Sequence, residues 1–371
     1  MRWSWRIGTF AGIGVYMHAT FLLIIGWVAL AAWLQARTLD VVLGSIAFIL
    51  ALFLCVVLHE YGHALTARRY GIATRDITLL PIGGVARLER MPEEPHQELK
   101  VALAGPAVNV VIAALLVVWL SATGTLSSGE PLSLVSGPFL ERLLLVNVFL
   151  VGFNMIPAFP MDGGRVLRAL LASRTDYVRA TSIAASIGQG FALVFGFVGL
   201  FFNPFLLFIA LFVWIGAGQE ASVTAMRHSL AGIPVAHAMM SRFSTLAPGD
   251  SLTRAVDLIL AGSQHDFPVV EDGRPVGVLT RDDLVVALQQ RGPAAPVRDA
   301  MRRDFPVIDS YDMLQTASDR LQSCECHTMP VLHHGQLVGL VTMDNIGEFL
   351  MIQSALGRPA GGALPGKTRA A

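Results

Sequence analysis

A long apolar run, residues 42–67, constrains this chain most, because it contains His59, Glu60 and His63 in the pattern H-E-x-x-H. The preceding residues 42–58 carry no charged side chain, so a helix built from them is apolar enough to enter a membrane. On that helix the two histidines share a face and can bind one Zn²⁺. Glu60, one step round the helix, can take a proton from an attacking water. Ionisable residues inside a membrane are costly and mark function, so we expect a metal site rather than a hydrogen-bonded histidine pair.

A third metal ligand is expected from Asp162, in the sequence Pro157-Ala158-Phe159-Pro160-Met161-Asp162-Gly163-Gly164. The prolines and glycines break the helix, and irregular backbone at membrane depth is tolerated where it is buried or lines a cavity. An aspartate oxygen would complete three protein ligands and leave a fourth position for water or substrate. The alternative is an ordinary Asp-Gly-Gly turn.

Charged residues make up 15% of the 371 residues, against about 25% in soluble domains, and the deficit lies almost wholly before residue 227. The chain has 27 Lys and Arg and 27 Asp and Glu, a balance that favours no nucleic-acid partner. Six runs approach the roughly 20 residues that a transmembrane helix needs: 15–34, 42–66, 101–120, 139–158, 182–202 and 204–224.

Positive charge predicts the orientation of these spans, because Lys and Arg favour cytoplasmic loops. With a cytoplasmic N-terminus, segments 67–100 and 159–181 are cytoplasmic and hold ten Lys and Arg residues. The loops on the other side hold Arg37 and, at a span edge, Arg142. We therefore expect both termini in the cytoplasm and the histidine pair near the cytoplasmic face of the cell membrane.

Two further stretches bear on the candidate site. Residues 72–88 alternate loosely around Gly83 and Gly84, which predicts a hairpin whose edge can pair with an extended peptide. A simple connecting loop is the alternative. The third span contains Gly105, Pro106 and Asn109, which favour tight helix packing and give Asn109 a possible place in the active cavity.

The combination of these motifs resembles the site-2 protease family of intramembrane zinc metalloproteases. The resemblance rests on three stretches covering about residues 1–226: His59-Glu60-x-x-His63, Gly105-Pro106-x-x-Asn109 and Asn154-x-x-Pro157-x-x-Pro160-x-Asp162-Gly163-Gly164. It implies zinc ligands His59, His63 and Asp162, the catalytic Glu60 and a substrate contact at Asn154. Tyr16-x-His18-x-Thr20 also resembles the sporulation-factor-processing branch, with His18 expected to be a partnered structural residue.

An ungapped repeat of 62 residues follows residue 226. Residues 235–239, 267–270 and 277–280 recur as 297–301, 329–332 and 339–342. Each unit predicts a helix, two strands joined by a tight turn, and a second helix. The repeat is similar to a tandem pair of cystathionine-β-synthase (CBS) modules, which implies homodimerisation and adenine-nucleotide binding at Thr280 with Asp283 and Thr342 with Asn345. Asn345 departs from the acidic residue of that motif, so the second site is the weaker.

The expected protein is a multi-pass α-helical membrane protein of six transmembrane helices with a C-terminal cytoplasmic α/β tandem CBS pair. The boundaries are 1–226 for the metalloprotease domain, 227–234 for a linker, 235–292 and 293–354 for the CBS modules, and 355–371 for a disordered tail. We expect it to cleave transmembrane protein substrates in the lipid bilayer, with substrate contacts at Asn154, Asn109, Gly83 and Gly84. A CBS-gated transporter and an inactive helix-binding pseudo-protease are the alternatives.

Overall fold

The computed structural model describes residues 3–81, 83–89, 91–125, 137–324 and 327–356, in two units divided between Thr224 and Ala225. Most of the predicted disordered tail, from residue 357 on, lies outside the described residues. The elements of the first unit are β1 (Ser4–Phe10), β2 (Ile13–His18), α1 (Phe21–Ala36), α2 (Leu39–Arg68), β3 (Thr74–Leu80), β4 (Gly83–Leu88), α3 (Pro95–Ala122), α4 (Phe139–Asn154), α5 (Asp162–Ala172), α6 (Tyr177–Phe201) and α7 (Phe205–Leu230).

Four of the described helices, α2, α3, α6 and α7, are long and apolar enough to cross a membrane. The predicted runs 15–34 and 139–158 instead form the 16-residue helices α1 and α4. At 1.5 Å per residue each is about 24 Å long, against a hydrocarbon core of about 30 Å. Residues 15–18 belong to β2, because their backbone pairs with β1 on one side and β3 on the other.

The four strands form one sheet in the order β1-β2-β3-β4. The predicted hairpin at 72–88 is present as the antiparallel pair β3 and β4. The sheet packs on the end of α2 that carries the histidines, where Ile13 and Ile77 bury against Ala64. The Tyr61 hydroxyl donates to the carbonyls of Phe10 and Ile13 at 3.1 and 3.2 Å. The sheet is therefore fixed beside the H-E-x-x-H turn.

Helices α2 and α3 pack closely at Gly62. A Cβ added there would lie 2.6 Å from the carbonyl oxygen of Ala104, so a larger residue would push the helices apart. Small residues at helix contacts allow such close backbone approach in membranes. The contact brings α3 alongside the histidine-bearing face of α2.

The second unit contains the remainder of the described chain. Its elements are α8 (Leu252–Ala261), β5 (Phe267–Glu271), β6 (Arg274–Leu279), α9 (Arg281–Arg291), β7 (Ile308–Asp309), α10 (Leu314–Cys324), β8 (Thr328–His333), β9 (Gln336–Thr342) and α11 (Met343–Ala355). The β5-β6 and β8-β9 hairpins turn at Asp272-Gly273 and His334-Gly335, all with positive φ, as two-residue hairpin turns require.

The two sequence repeats exchange their first segments. Residues 235–240 pack against the second repeat: the Val235 amide donates to the Asp312 carbonyl, and Met240 pairs with Leu340. The equivalent residues 297–302 pack against the first repeat, where Arg302 pairs with Val278. Each core is therefore completed by the opening segment of the other repeat.

The segment predicted to be a linker, residues 227–234, is partly helical and partly buried. Helix α7 continues to Leu230, and Leu230 and Ile233 are buried in the core of the second repeat. Their large apolar side chains explain the difference, because burying them is more favourable than leaving them in a solvated linker.

Candidate active site

The two histidines of α2 point their ring nitrogens at one another from successive turns. His59 and His63 are 6% and 3% exposed, and their Nε2 atoms lie 3.0 Å apart. The spacing of four residues in a regular helix produces this arrangement. The sequence prediction that both imidazoles can meet one ion agrees with this geometry.

Asp162 joins the pair from the first residue of α5, and its Oδ2 atom lies 3.1 Å from both Nε2 atoms. The two glycines after it let the first turn of α5 fit against the preceding loop. A Cβ at Gly163 would lie 2.3 Å from the Ile156 carbonyl oxygen, and one at Gly164 would lie 2.6 Å from the Phe159 amide nitrogen. The Asp-Gly-Gly sequence is therefore a packed loop-to-helix junction and not an exposed turn.

The other ring nitrogens face oxygen acceptors. His63 Nδ1 lies 2.7 Å from the Val101 carbonyl, which can accept only, so Nδ1 carries the proton. His59 Nδ1 lies 2.5 Å from Asn109 Oδ1, while the Asn109 amide nitrogen donates to Asn147 Oδ1 at 2.8 Å. In the neutral rings both Nε2 atoms therefore present lone pairs toward Asp162 Oδ2.

Two imidazole nitrogens and one carboxylate oxygen thus meet with no proton between them. Their lone pairs repel one another unless a cation binds. Within the described part of the chain, His59, His63 and Asp162 form a group whose ligand atoms all lie within 4.8 Å of one another. Two imidazoles, one carboxylate and an open fourth position are a donor set suited to catalytic Zn²⁺. The residues fit the metal.

Gly105 of α3 leaves room at this point. A Cβ there would lie 2.2 Å from His63 Nε2 and 2.6 Å from His59 Nε2. Sequence reasoning assigned Gly105 to helix packing alone. Its role in keeping the convergence point open depends on which helix covers the histidines, which no local pattern reveals.

The Glu60 side chain contacts the sheet. Its Oε2 atom accepts a hydrogen bond from the Ala86 amide of β4 at 3.2 Å. Gly84 lies beside it, where a Cβ would approach both Glu60 Cγ and Val56 Cγ1 to 3.0 Å. The candidate base is therefore held between the metal ligands and the edge strand.

Asn109, one of the predicted substrate contacts, lies between the metal-site histidine and α4. Its side chain is fully buried, its oxygen faces His59 and its amide nitrogen donates to Asn147. Asn154, the last residue of α4, is half-buried and makes no side-chain hydrogen bond to any described residue. Gly83 begins β4 with a φ of 140°. His18 is partnered, as expected, because its Nδ1 accepts from the Thr20 amide at 3.3 Å.

A buried ion cluster lies behind Asp162. Arg168 of α5 donates to Glu98 of α3 and Glu220 of α7, each at 2.7 Å, and its guanidinium stacks over the rings of Phe159 and Tyr177. Arg168 is 1% exposed and Glu98 fully buried. The cluster ties the helix that carries Asp162 to two others, and sequence reasoning missed it because its members are far apart in the chain.

The predicted nucleotide residues cap two helices of the second unit. The Thr280 and Thr342 side chains accept from the amides of Asp283 and Asn345 at 3.1 Å. Arg302 binds the Asp283 carboxylate through two nitrogens, at 2.6 and 3.1 Å. Burial acts to raise the pKa of Asp283, but the hydrogen bonds and charge of Arg302, with the Thr280 hydroxyl, outweigh it and lower that pKa.

Two family models match the chain. Peptidase family M50 matches residues 47–127 and 125–195, and the CBS domain matches residues 233–290 and 297–351. The predicted tandem CBS pair is thereby confirmed.

Similar proteins extend the match over almost the whole length. A zinc metalloprotease of Methanocaldococcus jannaschii is 33% identical, and the alignment covers 93% of this chain and 96% of that protein. Stage IV sporulation protein FB of Bacillus subtilis is 27% identical over 46% of this chain and 56% of its own length. Among solved structures, the site-2 protease of M. jannaschii is 38% identical, with a TM-score of 0.44 and coverage of 59% of this chain and 95% of that one.

Three findings lead to one assignment: the 33% identity to a zinc metalloprotease over nearly the whole chain, the match to family M50, and the convergence of His59, His63 and Asp162. The chain belongs to peptidase family M50, the membrane-embedded zinc metalloproteases of the site-2 protease type, and carries a tandem CBS pair.

Proposed function

We propose that His59, His63 and Asp162 hold the catalytic zinc of this intramembrane protease and that Glu60 is its general base. The observation that carries the proposal is the convergence of two unprotonated Nε2 atoms and one carboxylate oxygen within 4.8 Å, in a buried site. Zinc bound there would polarise the scissile carbonyl and acidify a water molecule.

Glu60 would move the proton during hydrolysis. Its carboxylate takes a proton from the attacking water as the new C–O bond forms at the scissile carbonyl carbon. It then gives that proton to the amide nitrogen as the C–N bond breaks. The base must first leave the Ala86 amide, or share it, because Oε2 accepts that hydrogen bond in the present arrangement.

The free edge of β4 supports a substrate bound in extended form. The Ala86 amide points away from β3 and toward Glu60. Backbone groups two residues apart in a strand face the same side, so Gly84 presents its amide and carbonyl to the same edge. A peptide added to this edge at Gly83 and Gly84 would lie beside Glu60 and gain backbone hydrogen bonds without sequence preference. The amide of Asn154, which has no hydrogen-bond partner among the described residues, is the proposed side-chain contact.

In the cell membrane, we place both termini on the cytoplasmic side, with α1 and α4 joining the four longer helices as a six-helix membrane domain. The ten Lys and Arg residues of segments 67–100 and 159–181 support this orientation. Exposed apolar side chains such as Trp27, Phe197 and Phe208 are suited to contact with lipid.

The CBS pair is proposed to regulate cleavage, to bind an adenine nucleotide and to join two copies of the chain. Thr280 with Asp283 and Thr342 with Asn345 are the candidate nucleotide contacts. At the first, a ribose hydroxyl would have to displace Arg302 from Asp283.

The test uses Glu60→Gln in the full-length chain. The amide keeps the volume of the side chain but cannot accept the proton, so cleavage should fall by about 10²–10⁴-fold. Zinc content should stay at the wild-type level. Fragments of membrane proteins would be compared by proteomics between cells carrying wild-type enzyme and the variant.

Asp162→Ala is the matched variant, in which both zinc content and cleavage should fall because a ligand is lost. Wild-type fragment levels in Glu60→Gln, or undiminished zinc in Asp162→Ala, would contradict the respective role.

A further inference from the structure

We propose that Asn147 of α4 is a positioning residue that, acting through Asn109, fixes which nitrogen of His59 carries its proton. The inference rests on the proposed role of His59 as a zinc ligand. Asn147 makes no hydrogen bond to His59, His63 or Asp162 itself; Asn109 lies between it and His59. Asn147 is on α4, whereas the three proposed ligands are on α2 and α5.

The direction of the hydrogen-bond chain is set at its far end. Asn147 Nδ2 lies 2.9 Å from the Leu143 backbone carbonyl, which can only accept. Its second neighbour is Cys55 Sγ at 3.5 Å, where the amide again donates. The amide nitrogen of Asn147 must therefore face Leu143, and its oxygen must face Asn109.

Each following group then has one orientation. Asn109 donates through Nδ2 to Asn147 Oδ1 at 2.8 Å, so its own oxygen faces His59 Nδ1 at 2.5 Å. Turning either amide round would bring two donors or two acceptors together. Both asparagines are fully buried, so water cannot compensate such a mismatch.

The two histidines are thus oriented by different means. His63 is set locally, because Nδ1 donates to the backbone carbonyl of Val101. His59 is set by two side chains from α3 and α4, of which the more remote supplies the direction. Without Asn147, the Asn109 amide can turn and present its NH₂ group to Nδ1. That arrangement favours the His59 tautomer protonated at Nε2, which cannot bind a metal through that nitrogen.

The experiment compares full-length wild-type protein with Asn147→Leu, a side chain of similar size without polar atoms. In metal-free protein labelled with ¹⁵N-histidine, NMR should show His59 Nδ1 protonated in the wild type and a lower proton occupancy at Nδ1 in the variant. The His59 signals are identified by their loss in His59→Gln. Zinc affinity, measured by competition with a chelator, should fall about 10–100-fold, as for other partners of metal-bound histidines.

Two further variants keep the test decisive. Asn147→Asp retains an acceptor for Asn109 and should keep the Nδ1-protonated tautomer, even if Asn147→Leu fails to fold. Leu144→Ala, three residues before Asn147 on α4, controls for loosened packing and should leave the tautomer unchanged. A wild-type tautomer with unchanged zinc affinity in Asn147→Leu, or a lost Nδ1 proton in Asn147→Asp, would overturn the proposal. Because the tautomer is read without metal, a wild type that binds no zinc would overturn the proposed function separately.

Discussion

At the scale of single residues, the site depends as much on a missing side chain as on those present. A Cβ at Gly105 of α3 would lie 2.6 Å or less from the Nε2 atoms of both histidines, so only glycine fits at this position. The ligands are the predictable part of this arrangement, since helix periodicity alone brings His59 and His63 together. The space in front of them is a property of a neighbouring helix.

Gly105→Ala should therefore abolish zinc binding. Its methyl group would occupy the place where the histidine lone pairs meet, so the loss of affinity should exceed the roughly 100-fold typical for outer partners of a metal ligand. Gly44→Ala is the matched control, because no described atom lies within 4 Å of a Cβ added at that position of α2. Metal analysis of the two purified variants measures the difference, and equal zinc content in both would contradict the assigned role of Gly105.

Asp283 makes a pH-dependent contribution in the second unit. Its pKa is lowered in the folded chain, so the stabilisation from Arg302 is complete above the unfolded-state pKa and is lost as pH falls through the folded-state value. Arg302→Met should remove this stabilisation and raise the pKa of Asp283, because the hydrogen bonds and charge of Arg302 are gone. Carboxyl NMR titration of the full-length chain with labelled aspartate gives the shift directly. An unchanged Asp283 titration in Arg302→Met would show that the pair does not lower the pKa.

At the scale of elements, α5 is held by the buried cluster of Arg168, Glu98 and Glu220. Removing one member of a buried ion pair costs more than removing both, because the remaining charge stays buried without a partner. Arg168 and Asp162 lie on the same short helix, α5. The contacts that stabilise α5 therefore also position Asp162, the proposed third metal ligand.

Arg168→Met should lower the free energy of unfolding by about 3–5 kcal/mol, since it leaves the Glu98 carboxylate buried and unpaired. The double variant Glu98→Gln/Arg168→Met should recover part of the loss, because the uncompensated charge is gone. Denaturation of the detergent-solubilised proteins measures both. Losses that simply add in the double variant would mean that the two side chains do not interact.

Sequence reasoning succeeded where chemistry is local and failed where it depends on packing. The H-E-x-x-H pair, the Asp162 junction and the 62-residue repeat are local patterns. The burial of Asn109 was not predictable because it depends on α4, and residues 15–18 were predicted to be helical because a strand buried in a sheet can be as apolar as a transmembrane span. The exchanged repeat segments were also unpredictable, since their apolar pattern fits either sheet equally well.

At the scale of the whole molecule, one chain combines a membrane metalloprotease unit with a CBS pair. A nucleotide can alter cleavage only if its affinity differs between two arrangements of the protein. The Asp283 carboxylate, which Arg302 occupies, gives such a difference a physical basis, because a nucleotide bound there would compete with Arg302 for it.

We therefore expect AMP, ADP or ATP to change the cleavage rate of the full-length enzyme by about 5–150-fold, a coupling of roughly 1–3 kcal/mol. Asp283→Ala should weaken the binding and the effect together, whereas Asp257→Ala, at an exposed position of α8, serves as the control. Calorimetric titration and cleavage assays of the same preparations make the comparison. Binding without any change in cleavage would leave the pair as a dimerisation module.

The exchanged repeat segments also determine the order in which the chain can fold as it is synthesised. Leu230 and Val235 leave the ribosome before the rest of the first CBS repeat. Their core partners Val331, Val341 and Ile346 are about a hundred residues further along the chain. The first repeat, in turn, lacks Val297 until the second has begun. The first core can close only after the opening segment of the second repeat, and the second core only near the end of that repeat. A chain that stops between the repeats therefore has no complete module.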